Sequence, residues 1–297
     1  MWIKTSGALS DNVFQLGTAV SSHILVVGDA SALIDTSITS TADRLCEELE
    51  SSLGEDGALD LIFITHAHFD HVGGLPVIRA KYPDVEVIGA PATAELLGDA
   101  EYLDGIYKKN LSAAEAMNAE LGFDEAAWKA AVKIDRIIGD GDAVDLGDDV
   151  ELKLIASPGH TADSVSYLIM PDAALAAGES VGSYGGRDIV ANCFTDNFNQ
   201  YLESLDRLSG LDLKILSFPH SGAITGELVP RFFMAARQNA ESFRDVVKER
   251  MGQGELVEEV FAALLGDWQA QNISPEGPFV EEQQEALKSM IRAAAAA

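Results

Sequence analysis

Three histidines and an aspartate fall within six residues, His66-Ala67-His68-Phe69-Asp70-His71, directly after the apolar run LIFIT that starts at Leu61. In extended backbone, residues i and i+2 face the same side, so His66 and His68 can grip one ion together. Asp70 and His71 follow where the chain turns into Gly73-Gly74 and can point at a neighbouring ion. Two more histidines, His160 in Ser157-Pro158-Gly159-His160-Thr161 and His220 in Pro219-His220-Ser221-Gly222, also lie in loops after apolar runs. Imidazole and carboxylate donors without thiolate suit zinc, iron or manganese. A lone loop histidine is ordinarily just solvated; this density after one buried strand points to two divalent transition-metal ions.

Two ions close together acidify a shared water and polarise a carbonyl, which is hydrolytic chemistry. Asp70 is the residue placed to orient that water and take its proton. No general acid for the leaving group is legible, and a thiolate leaving group needs one least. The expected substrate is therefore a small acyl thioester, ester or lactone. The alternatives are phosphodiester hydrolysis at the same site, or a metal-containing binding or signalling protein with vestigial catalysis.

The elements that must position these residues can be read around them. HILVVGD from His23 and SALIDTS from Ser31 suggest a hairpin, and TADRLCEELESSLG from Thr41 a helix capped by Thr41. LIFIT has the continuous apolarity of a strand buried on both faces. A helix near Leu75–Lys81, the strand VEVIGA and a helix from Pro91 follow. Residues 99–131 read as an Ala-rich helical insert. A second sheet half is expected from KIDRII, VELKLIA, SVSYLIM and AALAAGE, then a helix near Asn199–Leu208 and the strand LKILSFP. From Glu227 the chain reads as helical. The α/β fold expected is a four-layer αββα sandwich. Residues 1–226 form its catalytic part, and the extension 227–297 packs over the active site.

His66-Ala67-His68-Phe69-Asp70-His71 is similar to the HxHxDH signature of the metallo-β-lactamase superfamily, SPGHTADSVSYLI resembles its third ligand motif, and FPHSG its last. The resemblance runs from about Asp11 to Gly226. It implies that His66, His68 and His160 hold one ion, and Asp70, His71 and His220 the other. Asp35 in ALIDTS matches an aspartate that orients ligands, unless it merely caps the turn after its strand, and Thr161 beside His160 is placed with it. The family's metal-bridging aspartate corresponds here to Glu179, which bridges with a longer arm, binds one ion only, or is an exposed loop acid. The overall length, the helical extension and the Tyr201-Leu202-Glu203-Ser204-Leu205 helix resemble the quinolone-signal thioesterase branch.

Aromatics of the insert and extension are candidates for an apolar substrate pocket or for ordinary helix packing. They include Tyr107, Trp128 and Phe232, with His23, Tyr184 and Cys193 also placed near the cleft. Composition narrows the partners. With 20 Lys+Arg against 48 Asp+Glu the net charge is −28, a surface that repels nucleic acid and anionic membranes. Cys46 and Cys193 form no disulfide framework or zinc knuckle. No apolar run suits a signal peptide or a membrane span, so the expectation is a cytoplasmic protein acting on a small molecule, with a homodimer allowed.

Overall fold

The computed structural model describes residues 1–54, 57–187, 189–271 and 280–297. A short strand, β1 (Trp2–Ile3), joins the far sheet; the near sheet begins with β2 (Thr5–Ala8), β3 (Val13–Thr18), β4 (Ser22–Val27) and β5 (Ser31–Ile34), an antiparallel meander. Helix α1 (Ala42–Leu53) then carries the chain to β6 (Leu61–Phe63), parallel to β5. Leu45, Cys46 and Leu49 are buried on its inner face, as helical spacing demands. Thr41 does not cap it: a turn of 3-10 helix precedes it, and the Thr41 hydroxyl bonds Ser37 and the carbonyl of Ile38 instead.

Beyond β6 come α2 (Phe69–Val72), α3 (Leu75–Lys81) and β7 (Glu86–Gly89). Helix α4 (Pro91–Gly98) leads to the insert, α5 (Ala100–Ala116) and α6 (Glu125–Ala131), after which comes β8 (Arg136–Ile137). Asp99 opens α5 by accepting a bond from the Tyr102 amide. The run KIDRII therefore closes the near sheet rather than opening the far one, because β8 pairs parallel with β7. With only two paired residues, it carries too little periodicity to reveal its sheet.

The far sheet is β9 (Ala143–Gly147), β10 (Val150–Ala156), β11 (Val165–Met170) and β12 (Ala174–Ala176), another antiparallel meander. A two-stranded hairpin, β13 (Ser183–Gly186) and β14 (Ile189–Ala191), leads to α7 (Phe198–Ser209). The chain then re-enters the sheet at β15 (Ile215–Phe218), parallel to β12, followed by β16 (Gly222–Thr225). Among the described residues each of these two sheets has seven strands. Their inner faces share a core including Ile24, Phe63, Leu154 and Tyr167, and helices cover both outer faces. This is the expected αββα layering.

The long helices α8 (Leu228–Gly252), α9 (Val257–Gln271) and α10 (Val280–Ala296) pack on α7, β14 and β16. Phe232, Phe233, Ala236, Ala240 and Val247 form the buried stripe of α8, facing the far sheet's outer core. That stripe seats the extension in the outer layer, against α7 and the hairpin. Among the described residues no helix is long and apolar enough to cross a membrane.

Candidate metal centre

Asp35, the HAHFDH segment, His160, Glu179 and His220 come together where β5, β6, β10, β12 and β15 end. Carboxyl ends of strands are where α/β folds leave backbone unpaired and build sites. His66 and His68 lie beyond β6, which stops at Phe63, and His71 sits inside the single turn of α2 rather than in a loop. Two glycines allow the loops to meet. At Gly159 (φ 131°) a Cβ would fall 2.4 Å from the Tyr201 backbone, and at Gly178 (φ 53°) one would lie 3.0 Å from the Thr65 side chain.

Two groups of ligand atoms result: His66, His68, His160 and Glu179, and next to it Asp70, His71 and His220. His68 Nδ1 is 3.1 Å from both His66 Nε2 and His160 Nε2. A tetrahedron with arms of ~2.0–2.1 Å has edges of roughly 3.3 Å, so this spacing fits nitrogens sharing one zinc-sized ion. Glu179 joins the groups. Its Oε2 is 2.8 Å from His160 Nε2, 3.4 Å from His66 Nε2 and 3.8 Å from His71 Nε2, while Oε1 is 3.9 Å from His220 Nε2. Asp70 Oδ2 lies 3.3 Å from His220 Nε2 and 3.9 Å from His71 Nε2.

Four of the rings are fixed from behind. His71 Nδ1 donates to Asp35 Oδ2 at 2.8 Å, and Asp35 also accepts from the amide and hydroxyl of Thr65. The Thr65 hydroxyl in turn accepts from His66 Nδ1 at 3.0 Å. His160 Nδ1 donates to the Cys193 carbonyl at 3.0 Å, and His220 Nδ1 to the Val20 carbonyl at 2.9 Å. In each case the far nitrogen, Nε2, faces the centre, where giving up its proton would free a lone pair for an ion, the orientation of a metal-ligating histidine. His71 Nε2 is buried and has no hydrogen-bond partner. Such an orphan is costly unless it binds something, and an ion held by His71, Asp70 and His220 would satisfy it.

The electrostatics favour the same reading. Burial, reinforced by neighbouring imidazoles, holds His66 and His68 below the ordinary histidine range, keeping them neutral. His71 is raised despite its burial, by Asp35 and Asp70, and His220 is raised to about 9 against burial by its contact with Asp70. Burial opposes ionisation of Glu179 and Asp70, yet the surrounding imidazoles hold both carboxyls well below their usual range. Anionic carboxylates among imidazoles form a ready cation site.

Comparison with known proteins gives this arrangement its family. The family model described as the metallo-beta-lactamase superfamily matches residues 16–220. The chain belongs to that superfamily. It is 29% identical over 174 residues, 58% of the chain, to the metallo-beta-lactamase fold-containing protein ST1585 of Sulfurisphaera tokodaii. It is 26% identical over 211 residues, 70% of the chain, to a hydroxyacylglutathione hydrolase of Aliivibrio fischeri. The matches span 64% and 61% of those relatives' lengths, less than two thirds. A solved metallo-beta-lactamase family protein from Thermus thermophilus, TTHA1429, superposes with a TM-score of 0.65 at 18% identity, covering 96% of this chain and 94% of that one.

The structure separates the remaining candidates. The Thr161 hydroxyl and amide bond the Ser164 hydroxyl, within their own loop. Cys193 adjoins the centre, its Sγ 3.2 Å from His160 Nδ1 and 3.7 Å from Glu179 Oε1. His23 is buried, with Nε2 3.1 Å from the Ser21 hydroxyl, and does not line the cleft mouth. Trp128, Tyr184 and Phe232 are core residues. Trp128 is fully buried, donates to the Thr39 hydroxyl and packs edge-on against Tyr107; Tyr184 packs between Trp2 and Phe232. Large aromatics at helical spacing carry the same pattern whether they face a core or a pocket, and here the core took them. Two contributors went unread. Thr65 links Asp35 to His66, and Asp163, three residues past His160, accepts from the amide of Ala67 between the two histidines.

Proposed function

We propose that this chain is a binuclear metal-dependent hydrolase of small acyl substrates, with thioesters the leading class. The observation that carries the proposal is Glu179, whose two oxygens reach the two ligand groups at once. His66, His68 and His160 would hold one ion, Asp70, His71 and His220 the other, with Glu179 between them. Bound there, two divalent ions supply a water acidified toward neutrality and a Lewis acid for the carbonyl.

The protein's own groups do the rest. Asp70 is about a quarter exposed to the cleft and held as a carboxylate by His71 and His220, so it can orient the attacking water and accept its proton. Asp35, Thr65 and the carbonyls of Cys193 and Val20 keep the four rings in register, which limits reorganisation during the reaction. His68 and His220, each about a third exposed (34% and 35%), mark the open side from which substrate enters. The thioester class is supported by the similarity to hydroxyacylglutathione hydrolases, which are thioester hydrolases. The acidity of the chain supports a small neutral acyl substrate over a polyanion.

Elemental analysis combined with a substrate panel tests this. Two transition-metal ions per chain are expected, with turnover of thioesters, esters or lactones. His68→Ala should lower that turnover at least ~100-fold, more than losing an outer supporting residue does, with unchanged circular dichroism. Failure to bind metal even on reconstitution, or turnover of phosphodiesters alone, would overturn the proposal.

A further inference from the structure

A groove of about 480 Å³ opens beside His68, between α4 and α5. That volume lies in the ~300–1,000 Å³ range of small-molecule sites. Its walls are Phe69, Leu96, Tyr102 and Ile106, and Gly105 lies among them. The Tyr102 hydroxyl donates to the Ala67 carbonyl at 3.0 Å, which ties this wall to the segment between His66 and His68. The groove is thus continuous with the metal centre and fixed relative to it.

Gly105 is the unusual residue. It sits inside the 17-residue helix α5, where glycine is the least favourable residue after proline. Two ordinary reasons for a glycine are a positive φ and a close neighbour. Its backbone is helical, and a Cβ built on it meets no atom within 4 Å. What the missing side chain leaves open is the groove.

We infer that this groove holds the side chain of the acyl group, and that it takes an uncharged apolar chain or ring. This rests on the acyl-hydrolase reading above. The rim carries Asp99 and Glu101 against one cation, Lys109, whose ammonium lies 5.6 Å from the centre of the Phe69 ring. The local balance is therefore acidic, like that of the whole chain, and disfavours a tail ending in a carboxylate or phosphate. Each methylene moved from water onto apolar walls should strengthen binding roughly fourfold until the groove is full.

The test uses the metal-loaded full chain with acetyl, butyryl, hexanoyl and octanoyl thioesters, and a hexanoyl analogue ending in a carboxylate. kcat/KM should climb with chain length in the wild type and fall for the carboxylate-ended analogue. Gly105→Phe, which fills the groove from an exposed position, should cut the octanoyl-to-acetyl ratio at least tenfold. Gly105→Ala, favourable in a helix, should retain most of the length dependence, and melting temperatures of both variants monitor folding. Binding of octanoate is followed in parallel by calorimetry. Octanoate binding lost in Gly105→Phe supports the groove even if no thioester is turned over, which would instead remove the hydrolase reading. Thioester turnover independent of chain length, together with octanoate binding unaffected by Gly105→Phe, overturns the groove and leaves the hydrolase reading intact.

Discussion

Asp35 Oδ2 lies 2.8 Å from His71 Nδ1 and 2.8 Å from the Thr65 hydroxyl, which in turn accepts from His66 Nδ1, so one carboxylate oxygen sets rings in both ligand groups. Asp35 occupies a positive-φ position (58°) directly after β5, and its amide bonds the Phe63 carbonyl at the end of β6. Its carboxylate accepts from Thr65 and His71, which makes it an orienting residue.

Asp35→Asn keeps the shape and removes the charge that holds the His71 ring proton. Metal affinity at the Asp70–His71–His220 group should fall ~10- to 100-fold, the usual effect of losing such a partner, while the first group is less affected. Competition with a chelator measures both affinities. Equal, undiminished affinities would show that Thr65 and the fold alone hold the rings.

Trp128→Ala is expected to act on stability and not on substrate choice. The indole is fully buried, donates to Thr39 and packs on Tyr107, and emptying such a site costs about 3–5 kcal/mol. Denaturant unfolding should show that loss, with KM unchanged for the fraction that stays folded. A raised KM at unaltered stability would return Trp128 to the substrate pocket.

His23 predicts an acid-sensitive step in stability. Burial holds its imidazole down to about 4 from 6.5, and its Nδ1 has no partner. The unfolded chain takes up a proton near pH 6.5 that the folded chain refuses until about pH 4. The preference for the folded state is therefore complete above 6.5 and lost as pH falls through that window, by on the order of 3 kcal/mol. In metal-free protein, His23→Leu should flatten the stability-against-pH slope between 6.5 and 4 by up to one proton's worth. Identical slopes in the two proteins would mean His23 is protonated in the fold.

Much of this site was legible because its signals are local. HAHFDH follows a strand whose uniform apolarity marks it as buried, and His160 and His220 repeat the strand-then-histidine pattern. Contributions made by backbone left no trace: the Cys193 and Val20 carbonyls act without regard to their side chains. In the fold, α1, α3 and β10 were readable from their own periodicity. The two-residue strand β8 was not, since its sheet is chosen by pairing with β7. The extension read as helical, but the layer it covers depends on which surface its Phe232–Val247 stripe meets, a relation between distant segments.

Glu179 bears the most weight and gives the sharpest test. Its carboxylate contacts the first group at 2.8 and 3.4 Å and reaches the second at 3.8 and 3.9 Å. The loop behind it cannot readily advance, because Gly178 already sits against Thr65. Glu179→Asp withdraws the carboxylate by roughly 1.5 Å, one carbon–carbon bond, so it can serve at most one group. The second ion should then bind more weakly and kcat fall at least tenfold, with one ion per chain retained, because a single ion acidifies water less than a pair. Glu179→Ala should lose more, since it also leaves the surrounding imidazoles without their shared anion. Metal stoichiometry and kcat measured on the same preparations decide the matter. An aspartate variant that is faster and binds both ions more tightly would mean that the backbone is set for the shorter residue and that glutamate weakens the site. An alanine variant with two ions and full activity would remove Glu179 from the centre altogether.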